Sequence, residues 1–298
     1  MAHVSANGIG LEYEEFGSRI GTPLLLISGF SQQSTSWPES FVDGLVDAGF
    51  WVITFDNRDI GLSHQFDDKG IPDLSRIVAG LKDGTAPDLA PYLLDDMADD
   101  AAALLTELEA TPAIVMGVSM GGMITQLLAL RHPDKVKAII PTMTTSGDLS
   151  LPPATPEAQQ ALLARPDPPS RRNVIDVAIK SRRVIGSVDG LRNTDDEIAM
   201  DAGRAFDRAF RPAGTARQYA AIVAQPRWHE RLSTLNVPTM VLHGAVDPLI
   251  RPASGKDVAD RIPGASFVEV EGWGHDMPVR AVPTLLEHVT GFANQFKN

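Results

Sequence analysis

Apolar residues along the chain fall into two rhythms. PLLLIS (23–28), WVITFD (51–56), AIVMG (113–117), VKAIIPTM (136–143) and TMVLHG (239–244) are short, nearly unbroken runs, the pattern of strands buried on both faces. GLEYEEFG (10–17) alternates, as a strand with one polar face does, and SFVEVEG (266–272) reads as a further strand. Between these runs the spacing turns helical. SWPESFVDGLVDAGF (36–50) has Pro38 near its start, Phe41, Leu45 and Ala48 facing inward, and Gly49 as a stop. APYLLDDMADDAAALLTELEA (90–110) carries its acids early and gathers Leu104, Leu105 and Leu108 on one face. MITQLLALRH (123–132) and AVPTLLEHVTGFANQF (281–296) are helices of the same kind. Strands alternating with helices through short loops predict an α/β protein with a mostly parallel sheet, helices on both faces and antiparallel strands at its opening edge.

The rhythm breaks in the middle. From Ser146 to about Trp228 the buried-strand runs stop. A proline-rich stretch, DLSLPPATPEAQQALLARPDPPSRR, is followed by the helical patterns NVIDVAIKSRRVIG and DDEIAMDAGRAFDRAF. This predicts a core split into 1–145 and 229–298, with residues 146–228 forming a helical cap between two late strands. An insert leaving the carboxyl edge of such a sheet is placed to roof a site there.

Composition narrows the function. The 298 residues are 43% hydrophobic and 21% charged, enough for a full core, and the formal net charge is −12. So acidic a chain repels phosphate backbones and anionic headgroups, which argues against nucleic acid and membrane as partners. With no cysteine, disulfides and thiolate metal sites are excluded. The opening MAHVSANGIGLEYEEFG lacks the basic and apolar segments of a signal peptide, and no apolar run is long enough to span a bilayer. A cytoplasmic monomer or homodimer acting on a small molecule is expected.

The candidate chemistry sits where strands end. In VMGVSMGGM (115–123) one serine lies among three glycines, between a strand and a helix. A serine at so sharp a turn is forced into a strained backbone, and the residues two before and two after it, Gly117 and Gly121, must be small. Such a turn raises Ser119 above the sheet and offers the Met120 N–H to a developing oxyanion. Taken alone, the pattern is also that of an ordinary glycine-rich turn; the strand–turn–helix setting is what favours a nucleophile. A serine needs a base, and the base needs orienting. HGAVDPLI (243–250) places Asp247 just past one strand, and GWGHDMP (272–278) places His275 past the next. The order Ser119, Asp247, His275 gives a nucleophile, an orienting acid and a base. Asp276 is a rival acid, though its adjacency to the histidine points it elsewhere. His3, His64, His132, His229, His243 and His288 read as structural. A second oxyanion donor is expected from SGFSQQ (28–33), where Gly29 allows a tight turn and Phe30 N–H faces Ser119. Phe30, Met120, Met143, Trp228, Trp273 and Met277, all near strand ends, are candidate pocket walls. No cofactor and no metal is called for.

On these motifs the chain resembles the α/β-hydrolase superfamily over essentially its full length. FDNRDIGLS (55–63) looks like that superfamily's D-x-R-G-x-G-x-S loop, with Asp59 where glycine is usual, and Ser28-Gly29 stands where His-Gly is usual. With GVSMGGMITQ and KSRRVIGSVDGLRNTDDEI (180–198), this loop is similar to that of aclacinomycin methylesterases. The resemblance implies an eight-stranded α/β-hydrolase fold and a cofactor-free carboxylic ester hydrolase with a helical cap. Asp56, Arg58 and Asp59 are expected to be a structural network beside the site. A lactonase, a perhydrolase and a C–C bond hydrolase share the same three residues. A small-molecule receptor on the same fold is the reading from a different class. The basic stretch SRRNVIDVAIKSRR (170–183) reads as a solvated face of the cap.

Overall fold

In the computed structural model, which describes residues 2–188 and 190–297, the unbroken apolar runs are the strands of one eight-stranded sheet. A hairpin, β1 (Ala2–Ala6) and β2 (Ile9–Phe16), opens the chain, and β3 (Thr22–Ile27) follows. Then come α1 (Glu39–Asp47), β4 (Phe50–Phe55), two short helices α2 (Leu74–Gly80) and α3 (Ala86–Leu89), and the longer α4 (Leu94–Glu107). After β5 (Ala113–Val118), α5 (Met120–Arg131) and β6 (Val136–Thr142), four helices intervene before the sheet resumes: α6 (Pro156–Leu163), α7 (Arg171–Ile185), α8 (Asp195–Arg208) and α9 (Pro212–Ala224). The chain closes with β7 (Met240–Gly244), α10 (Pro252–Arg261), β8 (Ser266–Val270) and α11 (Val282–Ala293).

The strand order is β1-β2-β4-β3-β5-β6-β7-β8; β1 and β2 run antiparallel to their neighbours and the rest are parallel. Burial explains the unbroken runs. Along β3, Leu25 and Ile27 enter one apolar layer while Leu24 and Leu26 enter the other. In β5 Val115 faces the first layer, and Ile114 and Met116 face the second. Leu104, Leu105, Ile124, Leu127 and Val258 of α4, α5 and α10 cover the first; Phe41, Leu45, Leu285 and Val289 of α1 and α11 cover the second. No described helix is long and apolar enough to cross a membrane.

The inserted helices begin where the local chemistry starts them. Thr155 caps α6 through the Ala158 N–H, Ser170 caps α7 through the Asn173 N–H, and Thr194 and Glu197 make a reciprocal capping box on α8. Helix α4 starts at Leu94 and not at Ala90, because the Asp96 carboxylate accepts the Leu93 N–H and fixes the entry there. Helices α2 and α3, absent from the sequence pattern, bury Ile77 and Ala86 against Ala220 and Ala224 of α9. They form a shelf beneath one side of the insertion.

Candidate active site

The turn from β5 into α5 places Ser119 at φ +55°, ψ −117°, a left-handed backbone that few side chains tolerate. Strain of this kind costs on the order of 1–3 kcal/mol and persists only where the surroundings enforce it. They do so here through close approach: a Cβ on residue 117 would lie 2.1 Å from the Gly121 carbonyl oxygen, and one on residue 121 would lie 2.1 Å from that of Ile27. Hydrogen bonds fasten the turn, from Ser119 N–H to the Thr142 carbonyl at 2.9 Å and from Thr144 Oγ1 to the Ser119 carbonyl at 2.8 Å.

Asp247 follows the carboxyl end of β7. Its Oδ1 accepts the N–H groups of Leu249 and Ile250 at 2.8 and 2.9 Å, and its Oδ2 lies 2.7 Å from His275 Nδ1. His275 follows β8, and its other nitrogen, Nε2, stands 3.0 Å from Ser119 Oγ. The three side chains thus form one hydrogen-bonded line across the carboxyl edges of β5, β7 and β8. Burial alone would raise the Asp247 pKa, but the charges and hydrogen bonds of His275 and His243 override it and hold the carboxyl at about 2. His243 belongs to this group: its Nε2 lies 3.5 Å from Asp247 Oδ2 and 2.8 Å from the Ile250 carbonyl. Sequence reading set it aside because a histidine inside a strand carries no signal of what lies beside it.

The histidine loop is held from above. His275 N–H donates to the Ile185 carbonyl at 2.7 Å, and Arg182 Nη1 to the His275 carbonyl at 3.2 Å, both from the end of α7. Asp276 turns away from the imidazole and accepts the N–H and Oγ–H of Ser187 at 3.1 and 2.6 Å. The basic stretch therefore divides. Arg171 and Arg183 pair with Asp207 and Asp195 on the exposed cap surface, while Arg182 reaches the histidine loop.

Facing Ser119 is the loop after β3. A Cβ on Gly29 would come within 3.4 Å of Ser119 Cβ, so this loop lies against the serine. The N–H of Met120 precedes the hydrogen-bond ladder of α5, and neither it nor the N–H of Phe30 has a partner among the described residues. Over Ser119 lies a cavity of about 240 Å³. Phe30 and Met120 line it with Leu249 and Ile250, and the roof brings Leu162 and Ile222. Gln159 and Tyr219, joined at 3.4 Å, supply polar atoms, and Tyr219 packs 5.8 Å from the Phe30 ring.

Of the wall residues expected from sequence, Phe30 and Met120 line this cavity. Met143 and Trp273 are buried in the second apolar layer, and Met277 packs against it. The indole N–H of Trp273 donates to the Asp276 carbonyl at 2.6 Å, so it braces the histidine loop from behind. Trp228 is buried in the first layer, with Nε1 donating to Gln126 Oε1 at 3.0 Å, and it lines a second cavity next door. Closeness to a strand end says which edge a residue is near, not which side of the sheet it faces. Leu249 and Ile250 were within reach, being two and three residues past the acid. Gln159, Leu162, Tyr219 and Ile222 lie on inserted helices whose register over the sheet no local pattern reveals.

Loop 55–63 carries a network beside the site. Asp59 sits at φ +70°, and its carboxylate is clasped by Arg217 at 2.7 and 2.8 Å. Asp56 accepts Arg208 at 2.7 Å and the Ser34 N–H at 2.7 Å, while Arg58 is paired with Asp100 at 2.6 Å. The Arg208 and Arg217 bonds tie α8 and α9 to this loop, which follows β4. Elsewhere His132 pairs with Asp99 at 2.7 Å, away from Ser119.

The chain is similar to rhodomycin D methylesterase DauP of Streptomyces sp. (strain C5), 28% identical over 93% of this chain and 92% of that protein. It is also similar to a non-heme bromoperoxidase, BpoC, described as putative, of Mycobacterium tuberculosis, at 27% identity over 90% and 91%. Among solved structures, a thermophilic esterase from Thermogutta terrifontis superposes with a TM-score of 0.74 at 24% identity, covering 99% of this chain and 98% of that one. The model of the alpha/beta hydrolase fold family matches residues 22–279, and the chain belongs to that family.

Proposed function

We propose that the protein is a carboxylic ester hydrolase working through an acyl-enzyme on Ser119, with a small to medium, largely hydrophobic ester, a methyl ester or similar, as substrate. The observation that carries this reading is His275, bridging Ser119 Oγ at 3.0 Å and Asp247 at 2.7 Å under an apolar cavity. Asp247, ionised across the neutral range, accepts the Nδ1–H of His275 and so leaves the Nε2 lone pair facing the serine hydroxyl. Ser119 Oγ attacks the ester carbonyl carbon as its proton passes to His275 Nε2. The carbonyl oxygen becomes an oxyanion, to which the N–H groups of Phe30 and Met120 donate. Collapse of this intermediate breaks the C–O bond, and the departing alkoxide takes the proton from His275 and leaves as the alcohol. Water then attacks the acyl carbon, giving a proton to His275, and the second collapse returns that proton to Ser119 and frees the acid. Similarity to a methylesterase supports the choice of bond.

The test is Ser119→Ala. The variant should stay folded and lose turnover of short p-nitrophenyl esters by roughly 10⁶-fold. A serine-directed sulfonyl fluoride should label the wild type at Ser119 alone, mapped by mass spectrometry. Full turnover in the alanine variant overturns the proposal, and labelling without sustained turnover would favour a receptor.

A further inference from the structure

The cavity over Ser119 adjoins a second of about 130 Å³, and Met123 and Ile222 belong to the walls of both. Along α5 from Ser119, Met123 lies one turn on and Gln126 two, and Gln126 holds the Trp228 indole. Trp228 and its neighbour Arg227 line the second chamber. At 1.5 Å rise per residue the far chamber is about 10 Å from the nucleophile along the helix.

Arg227 is half-buried, and its guanidinium has no hydrogen-bond or ion-pair partner among the described residues. Burial lowers its pKa from the ordinary arginine value, with no carboxylate acting against that shift. Four other sheltered arginines are matched by carboxylates: Arg58 by Asp100, Arg208 by Asp56, Arg217 by Asp59, and Arg261 by Asp148 and Asp257. Asp148 shares the wall with Arg227, but its oxygens are engaged by Arg261 at 2.7 Å and by the Ser150 N–H at 2.9 Å. A guanidinium that lines a cavity with no protein acceptor leaves its donors free for a ligand that brings acceptors. Its planar fork suits a carboxylate.

We propose that Arg227 is a carboxylate-binding subsite, so that the preferred substrates are half-esters of dicarboxylic acids whose free carboxylate reaches the second chamber while the ester lies over Ser119. This rests on the ester hydrolase reading and narrows its substrate class. The apolar stretch between the two polar ends would lie along Met123 and Ile222, matching an alkyl or aryl spacer.

The test compares monomethyl adipate, suberate and sebacate with the corresponding methyl alkanoates, on the wild type, Arg227→Met and Arg227→Lys. The wild type should favour at least one half-ester by about tenfold or more in kcat/KM. Arg227→Met should lose that preference, mainly through KM, while keeping the wild-type rate on the methyl alkanoate, and Arg227→Lys should fall between. Equal kcat/KM for half-esters and alkanoates in the wild type, or a preference untouched by Arg227→Met, overturns the subsite. Calorimetric binding of suberate supplies a readout independent of turnover. Binding to Ser119→Ala that vanishes when Arg227→Met is added upholds the subsite even if no ester is cleaved, and undiminished binding in the double variant or none in Ser119→Ala overturns it. Failure of every ester together with failure of sulfonyl fluoride labelling counts against the hydrolase reading instead. Should Arg227→Met not fold, Arg227→Gln takes its place in both measurements.

Discussion

Asp247 shows how one residue joins stability to chemistry. Two backbone N–H groups occupy one of its oxygens and His275 the other, in a site shut off from water. With its folded pKa near 2, below the ordinary carboxylate value, the stability it lends is complete above about pH 4 and is lost as pH falls through 2. The size is about 2 kcal/mol. Asp247→Asn should therefore flatten the pH dependence of urea unfolding between pH 4 and pH 2 relative to the wild type; parallel slopes would show that the carboxylate is not held this way. The same variant should retain its fold at neutral pH yet lose about 10⁴ in kcat, because an amide can hold the imidazole in the wrong tautomer. Asp59 presents a second case. Its backbone is left-handed where glycine would be at ease, and Arg217 neutralises its buried charge. Arg217→Met should destabilise by about 3–5 kcal/mol, since it strands that carboxylate. Adding Asp59→Gly should recover part of the loss by removing both charge and strain, and a double-mutant cycle by denaturant melts reads the coupling directly.

At the level of elements, α7 does more than roof the cavity. Its last turn and the residues after it grip the histidine loop through Ile185, Arg182 and Ser187. Asp276→Asn weakens that grip without touching the imidazole. It should lower kcat by between about tenfold and a hundredfold with little change in KM, and slow sulfonyl fluoride labelling in parallel. An unchanged labelling rate would leave Asp276 a purely structural role. Elements also differ in how well the sequence announces them. The strands declare themselves because both faces are buried, so Leu24 through Ile27 are apolar without interruption. Helix α5 begins at Met120, three residues before its apolar spacing becomes visible, because glycines occupy its first turn to clear the serine. Helix α3 is a single turn with a proline in it, α6 has only eight residues, and α9 is of mixed composition; such segments owe their form to what they pack against.

In the molecule as a whole, four loops at one edge of the sheet bring together residues that lie far apart along the chain: Phe30, Ser119, Asp247 and His275 follow β3, β5, β7 and β8. That convergence was legible, because parallel strands present all their carboxyl ends on one side. The shape of the space above them was not. It depends on how α6 and α9 lie over Ser119, which is set by long-range contacts such as Gln218 Nε2 with the Arg58 carbonyl at 3.0 Å and Gln33 Nε2 with the Ala205 and Ala209 carbonyls at 2.7 and 2.9 Å. The upper layer is thus riveted to the lower at α8 and α9 by ion pairs, and at the end of α7 by the loop that carries the imidazole.

That last attachment bears on protein engineering. On the proposed mechanism, replacing residues 146–228 to obtain a new specificity would discard the contacts that hold the His275 loop, and with them the chemistry the graft was meant to redirect. A chimera that keeps native residues 182–188 and exchanges only what precedes them would leave the His275 loop held while the wall at Ala154, Gln159 and Leu162 is rebuilt.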